Sequence, residues 1–154
     1  MIILRTLIIY TSVHHGNTEK ITKVIAETLN CKMLKAETVE VDTLKDYDLI
    51  GFGSGIFTGK FKFHKSMIQL IDSLPKQLAK KAFIYSTSGQ GNVSYNNPIK
   101  SKLEEKGFEI IGMFACKGFN TAGPLNLIGG IAKERPNNDD FQAAKTFAQS
   151  LIIG

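Results

Sequence analysis

Of the 154 residues none is tryptophan and only two, Cys31 and Cys116, are cysteine. The two cysteines stand at neither metal-ligand nor CxxC spacing, and a disulfide framework needs more of them, so both read as free, buried or half-buried thiols. Long apolar runs are missing as well, which argues against a membrane-spanning helix, and the N-terminus passes directly into strand-like sequence. A cytoplasmic protein is expected. The net charge of +5 is spread over both halves without a basic tail, clustered arginines or interleaved aromatics. No nucleic-acid partner is therefore expected, and an excess of this kind reads as a solvated basic surface. With 43% hydrophobic and 21% charged residues the chain suits a single globular domain over residues 1–154.

Several site chemistries are missing too. The Rossmann G-x-G-x-x-G spacing and the Walker A lysine are absent, and Gly51, Gly53 and Gly55 are wrongly spaced for the former. A receiver domain would need acidic residues where Thr11-Ser12 and Gly51 to Ser54 stand. A low-molecular-weight tyrosine phosphatase would need Cys and Arg bracketing the first loop, which has neither. The three histidines, His14, His15 and His64, lack a carboxylate or thiol at ligand spacing, so no metal site is expected.

What is present is an alternation of short apolar runs with helical patterns. Residues 3–10 read as a strand and 17–29 as a helix with its stripe at Ile21, Val24, Ile25 and Leu29. An edge strand follows over 33–41, and a buried strand over 49–54. Phe63, Met67, Leu70, Ile71 and Leu74 form a stripe that Pro75 ends, and 82–86 is another buried strand. Asn97 as N-cap and Pro98 at the first turn predict a helix over 98–106 ending at Gly107, before a strand over 108–116. Asp139 and Asp140 start a last helix with Phe141, Ala144, Phe147, Ala148 and Leu151 inside. Right-handed crossovers then give a five-stranded parallel sheet, order 2-1-3-4-5, covered on both faces.

Three loops leave the carboxyl ends of the strands: 11–18, 54–61 and 86–92. All are rich in Gly, Ser and Thr, which allows close approach of a ligand. The first joins a strand to a helix N-terminus, where N–H groups, the helix dipole and hydroxyls converge in a way that suits phosphate. The 117–135 segment is long and aperiodic, as functional loops often are.

Ser12 to Thr18, ending Gly16-Asn17-Thr18 after Tyr10, resembles the phosphate loop of flavodoxins, and Tyr47 to Ser54 resembles that family's third strand. The resemblance implies a flavodoxin-like three-layer α/β sandwich, of the short-chain type, that binds FMN. It places Ser12, Val13, His14, His15, Gly16, Asn17 and Thr18 around the phosphate. Ser54, Gly55, Ile56, Phe57 and Thr58 would lie along one side of the flavin ring, and Ser86, Thr87, Ser88, Gly89, Gly91 and Asn92 along the other. Without tryptophan, any aromatic stacking falls to Phe57, Phe61 or Tyr95. The implied function is one-electron transfer between redox partner proteins, with no acid–base catalytic residue. The first loop is one residue longer than is common in flavodoxins, and a similar length occurs in a flavodoxin relative, menaquinone-dependent protoporphyrinogen oxidase. An FMN-dependent oxidoreductase acting on a quinone or other small substrate is thus the alternative, and an interaction module that has lost FMN a third.

Overall fold

Residues 4–12, 16–57, 62–76, 79–118 and 134–153 are described by the computed structural model, excluding the side chains of Phe57 and Ile153. The strands are β1 (Thr6–Tyr10), β2 (Lys32–Lys35), β3 (Leu49–Phe57), β4 (Lys62–Phe63), β5 (Lys81–Ser88) and β6 (Glu109–Lys117). The helices are α1 (Asn17–Leu29), α2 (Lys65–Ser73), α3 (Asn97–Glu105) and α4 (Asn138–Ile153). Five strands pair in parallel in the order β2-β1-β3-β5-β6, while β4 folds back antiparallel on the end of β3. This is the flavodoxin-like arrangement expected, with one short strand added.

The sheet is buried on both faces, which is why its central strands are nearly continuous apolar runs rather than alternating ones. Leu7, Ile9, Ile50, Phe52, Ala82 and Ile84 face one layer, packing with Met67, Leu70 and Ile71 of α2 and with Ile99 and Leu103 of α3. Ile8, Leu49, Phe83 and Tyr85 face the other, against Ile21 and Ile25 of α1 and Ala144, Ala148 and Leu151 of α4. Both α1 and α4 return antiparallel to the strands, so their N-termini lie at the carboxyl edge of the sheet.

Several boundaries differ from the sequence expectation. Strand β2 stops at Lys35 with its side chains largely exposed, and the chain leaves the sheet at Ala36, which is buried in the core. Ser54 to Phe57 and Ser86 to Ser88 are strand rather than loop: pairing between β3 and β5 continues through Ser54–Ser86 and Gly55–Thr87. Phe63 is core, as its apolar character suggested, but it sits in β4 opposite Ile56 instead of on the α2 stripe. Asn97 is the first residue of α3 and not its cap. The preceding 3-10 turn, Val93–Asn96, runs straight into the helix, and the cap residue Asn96 turns its side-chain amide to the Phe114 carbonyl at 3.0 Å. Gly107 ends α3 at φ 98°, as predicted from its position.

Two glycines inside β3 have a packing reason. A Cβ on Gly51 would fall 2.2 Å from Cζ of Phe83, and one on Gly53 would fall 2.0 Å from Cζ of Tyr85. The two rings of β5 lie across the bare backbone of β3, stacked with centroids 6.1 Å apart.

Candidate functional site

The carboxyl edge of the sheet gathers hydroxyls at the start of α1. Gly16 takes the left-handed conformation, φ 66°, which glycine adopts without strain, and turns the chain into the helix. No side chain caps this N-terminus from the Gly16 position. Ser12 instead accepts a hydrogen bond from the Glu19 N–H at 3.1 Å. Thr18, on the first turn, is buried and shares a 2.9 Å hydrogen bond with the hydroxyl of Thr87 at the end of β5. Gly55 completes the meeting point: a Cβ there would stand 3.5 Å from the Thr18 hydroxyl and 3.8 Å from that of Thr87. One residue from each of the three loops anticipated in the sequence therefore converges on one spot.

The other hydroxyls shape the loops. Ser54 accepts from Thr11 Oγ1 at 2.8 Å and from the His64 N–H at 2.9 Å, and donates to the Gly55 carbonyl at 2.8 Å. Its hydrogen-bonding capacity is filled within the protein. Ser88 Oγ accepts from the Gly91 N–H at 2.7 Å, closing a turn in which Gly91 has φ 65° and backs onto Lys117. Asn92 accepts from Ser94 N–H and caps the following 3-10 turn. Ser86 Oγ is buried beside them without a hydrogen-bond partner among the described residues. The Ser88 carbonyl accepts from Gly118 N–H at 2.8 Å, and a Cβ on Gly118 would meet the Asn17 side chain at 2.6 Å. The end of β6 is thereby pressed against the start of α1.

Val13, His14, His15, Thr58, Phe61 and residues 119–133 lie outside the described residues, as does the Phe57 side chain. Ile56 is buried, and Tyr95 is half-buried with its hydroxyl on Gln90. His64 caps α2, its Nδ1 accepting from the Ser66 N–H at 3.1 Å. Among the described residues no cluster of His, Cys, Asp and Glu could hold a metal. Nor is any helix of the described residues long and apolar enough to cross a membrane.

Sequence reasoning passed over Thr11, Thr22, Tyr85 and the Arg135–Asp140 pair. Thr11 is legible only through register, because Tyr10 pairs with Gly53 and places Thr11 beside Ser54. Asp140 was read as a helix-dipole residue, yet it is buried and held by Arg135 through Nε and Nη2, both at 2.5 Å. Burial pushes its pKa up, but Arg135 and the Asn137 N–H outweigh that, and the net shift is downward.

Residues 7–117 match the flavodoxin domain family. The chain belongs to the flavodoxin family. It is 46% identical over 151 residues, covering 97% of this chain and 99% of the other, to an uncharacterized protein of Methanocaldococcus jannaschii. Its fold is similar to that of a flavodoxin from the domain Archaea, with TM-score 0.68 and 19% identity over 95% of this chain and 94% of that one. A flavodoxin from Bacillus cereus is similar at TM-score 0.67 and 17% identity, over 96% and 97% of the two chains. At those identities the flavodoxin structures speak for the fold alone.

Proposed function

We propose that the protein binds FMN non-covalently at the carboxyl edge of the sheet and carries single electrons between redox partners. The observation that carries this reading is the convergence of Thr18, Gly55 and Thr87 at the N-terminus of α1. Two hydroxyls, the positive end of a helix dipole and a position with no side chain suit a phosphate dianion without any fixed cation. The residues thus fit the phosphate arm of FMN. Thr87 joins the phosphate group of contacts, and Ser12 and Ser54 serve by fixing the first and second loops. Gly55 and Ile56 on one side, and Ser88, Gly89, Gly91 and Asn92 on the other, would border the ring, which supplies the redox chemistry when bound. A net charge of +5 favours encounter with acidic partner faces.

Absorbance during stepwise anaerobic reduction of the FMN-loaded chain separates the readings. Two resolved one-electron stages support the carrier. A single two-electron stage with turnover of a quinone supports the oxidoreductase, and a chain that neither carries nor takes up FMN removes both.

A further inference from the structure

Behind the Thr18–Thr87 pair lies a hydrogen-bond chain that reaches no ligand itself. Thr22 is fully buried on α1, one turn after Thr18, and its Oγ1 donates to the Thr18 carbonyl at 2.7 Å. The same Oγ1 is hydrogen-bonded to the hydroxyl of Tyr85, a residue with no solvent exposure. A carbonyl cannot donate and Thr22 has one hydroxyl proton, so the Tyr85 hydroxyl must be the donor to Thr22. Burial raises the Tyr85 pKa far above its usual range, which keeps that proton in place at any working pH. The ring of Tyr85 is itself fixed, lying across Gly53 where no Cβ could stand. The order of support therefore runs from the β3 backbone to Tyr85, to Thr22, to the carbonyl of Thr18, whose side chain meets Thr87.

We propose that Tyr85 and Thr22 are positioning residues for the anion site, tying the first turn of α1 laterally to β5 so that the Thr18 and Thr87 hydroxyls stay within reach of one phosphate. The proposal rests on the FMN reading given above. Neither residue touches the ligand. Their effect is on the register between helix and strand, where a lateral drift of the turn separates the two hydroxyls that must act together. Ile21 and Ile25 of α1 pack in the same buried layer as Tyr85, and the Thr22–Tyr85 hydrogen bond adds a directional tie to that packing.

Four full-length variants, Thr22→Val, Thr22→Ser, Tyr85→Phe and the double variant Tyr85→Phe/Thr22→Val, test it through two readouts: FMN affinity by fluorescence quenching and the urea midpoint of the apoprotein. Thr22→Val leaves the buried Tyr85 hydroxyl without its acceptor, so both stability and FMN affinity fall, the latter by about tenfold, the scale of one lost buried hydrogen bond. Thr22→Ser keeps the hydroxyl and stays within about twofold of the parent, inside the scatter expected when the bond is retained. In the double variant no polar group is orphaned and stability recovers, yet FMN affinity stays down because the tie is still missing. If affinity recovers together with stability, or never changes in any variant, Tyr85 and Thr22 are core residues only and the proposal is overturned. A parent chain that binds no FMN overturns the flavin reading and this inference with it, whereas parent-level binding in all variants overturns this inference alone.

Discussion

Substituting Gly53 by alanine should be among the most damaging single-methyl changes in the chain. The added Cβ would lie 2.0 Å from Cζ, 2.2 Å from Cε2 and 2.5 Å from the hydroxyl oxygen of Tyr85, well inside contact distance. Tyr85 has nowhere to retreat, being fully buried between β3 and α1 and next to the Phe83 ring. Overpacking alone costs about 1–3 kcal/mol. Moving Tyr85 also separates its hydroxyl from Thr22, adding about 1–3 kcal/mol for a buried unpaired group. The combined loss of about 2–6 kcal/mol is a large share of a domain's usual stability of about 5–15 kcal/mol. With a urea m-value near the upper part of the usual range, about 2–3 kcal/mol/M, the midpoint falls by about 0.7–3 M. Gly55→Ala is the matched comparison, because its Cβ meets the two hydroxyls and the Thr87 carbonyl at ordinary contact distance. Its midpoint should shift by less than about 0.5 M, as expected for a change of under about 1 kcal/mol. Its FMN affinity should nevertheless fall clearly, since the methyl group fills the open position beside the paired Thr18 and Thr87 hydroxyls. Equal midpoints for the two variants would refute the account of Tyr85 lying over bare backbone.

Three further outcomes are expected. Gly16→Ala should cost about 1–2 kcal/mol of stability by urea melt, from the left-handed φ alone, because nothing lies within 4 Å of the added Cβ; Gly16→Asn should cost less. Arg135→Leu should shift acid unfolding to higher pH. The Asp140 carboxyl is held below its ordinary pKa, so its contribution is present above the unfolded value and is lost as pH falls through the folded one; removing Arg135 narrows that window, and an unchanged acid midpoint by circular dichroism would contradict it. Cys116 and Cys31 should react slowly with a thiol reagent at pH 8 until the protein is unfolded, since burial raises their pKa values to about 12 and about 11.

Much of this architecture was legible because periodicity and punctuation agree. The apolar runs before each hydroxyl-rich loop, the Gly107 stop and the stripe from Phe141 to Leu151 located most elements. Strand ends were harder: Ser86, Thr87 and Ser88 look like loop by composition, and only the continued pairing with β3 makes them strand. The candidate site was visible as three permissive loops, but not as a contact. That Thr18 meets Thr87 across 69 positions depends on the register between α1 and β5, which no local signal carries. The same holds for Tyr85 over Gly53, where the sequence displays two glycines and two aromatics, and only the sheet pairs them. Arg135 and Asp140 were hidden for another reason: an acidic residue in a first helical turn already has a sufficient explanation in the dipole, which masks its ion pair.

The most direct test of the flavin site is a fluorescence titration of the full-length apoprotein with FMN and, separately, with riboflavin, which lacks the phosphate. FMN quenching that saturates at one equivalent per chain, with riboflavin bound at least about tenfold more weakly, is the result predicted by a phosphate held between Thr18, Thr87 and the α1 N-terminus. Equal affinity for the two, or no quenching by FMN, would contradict it.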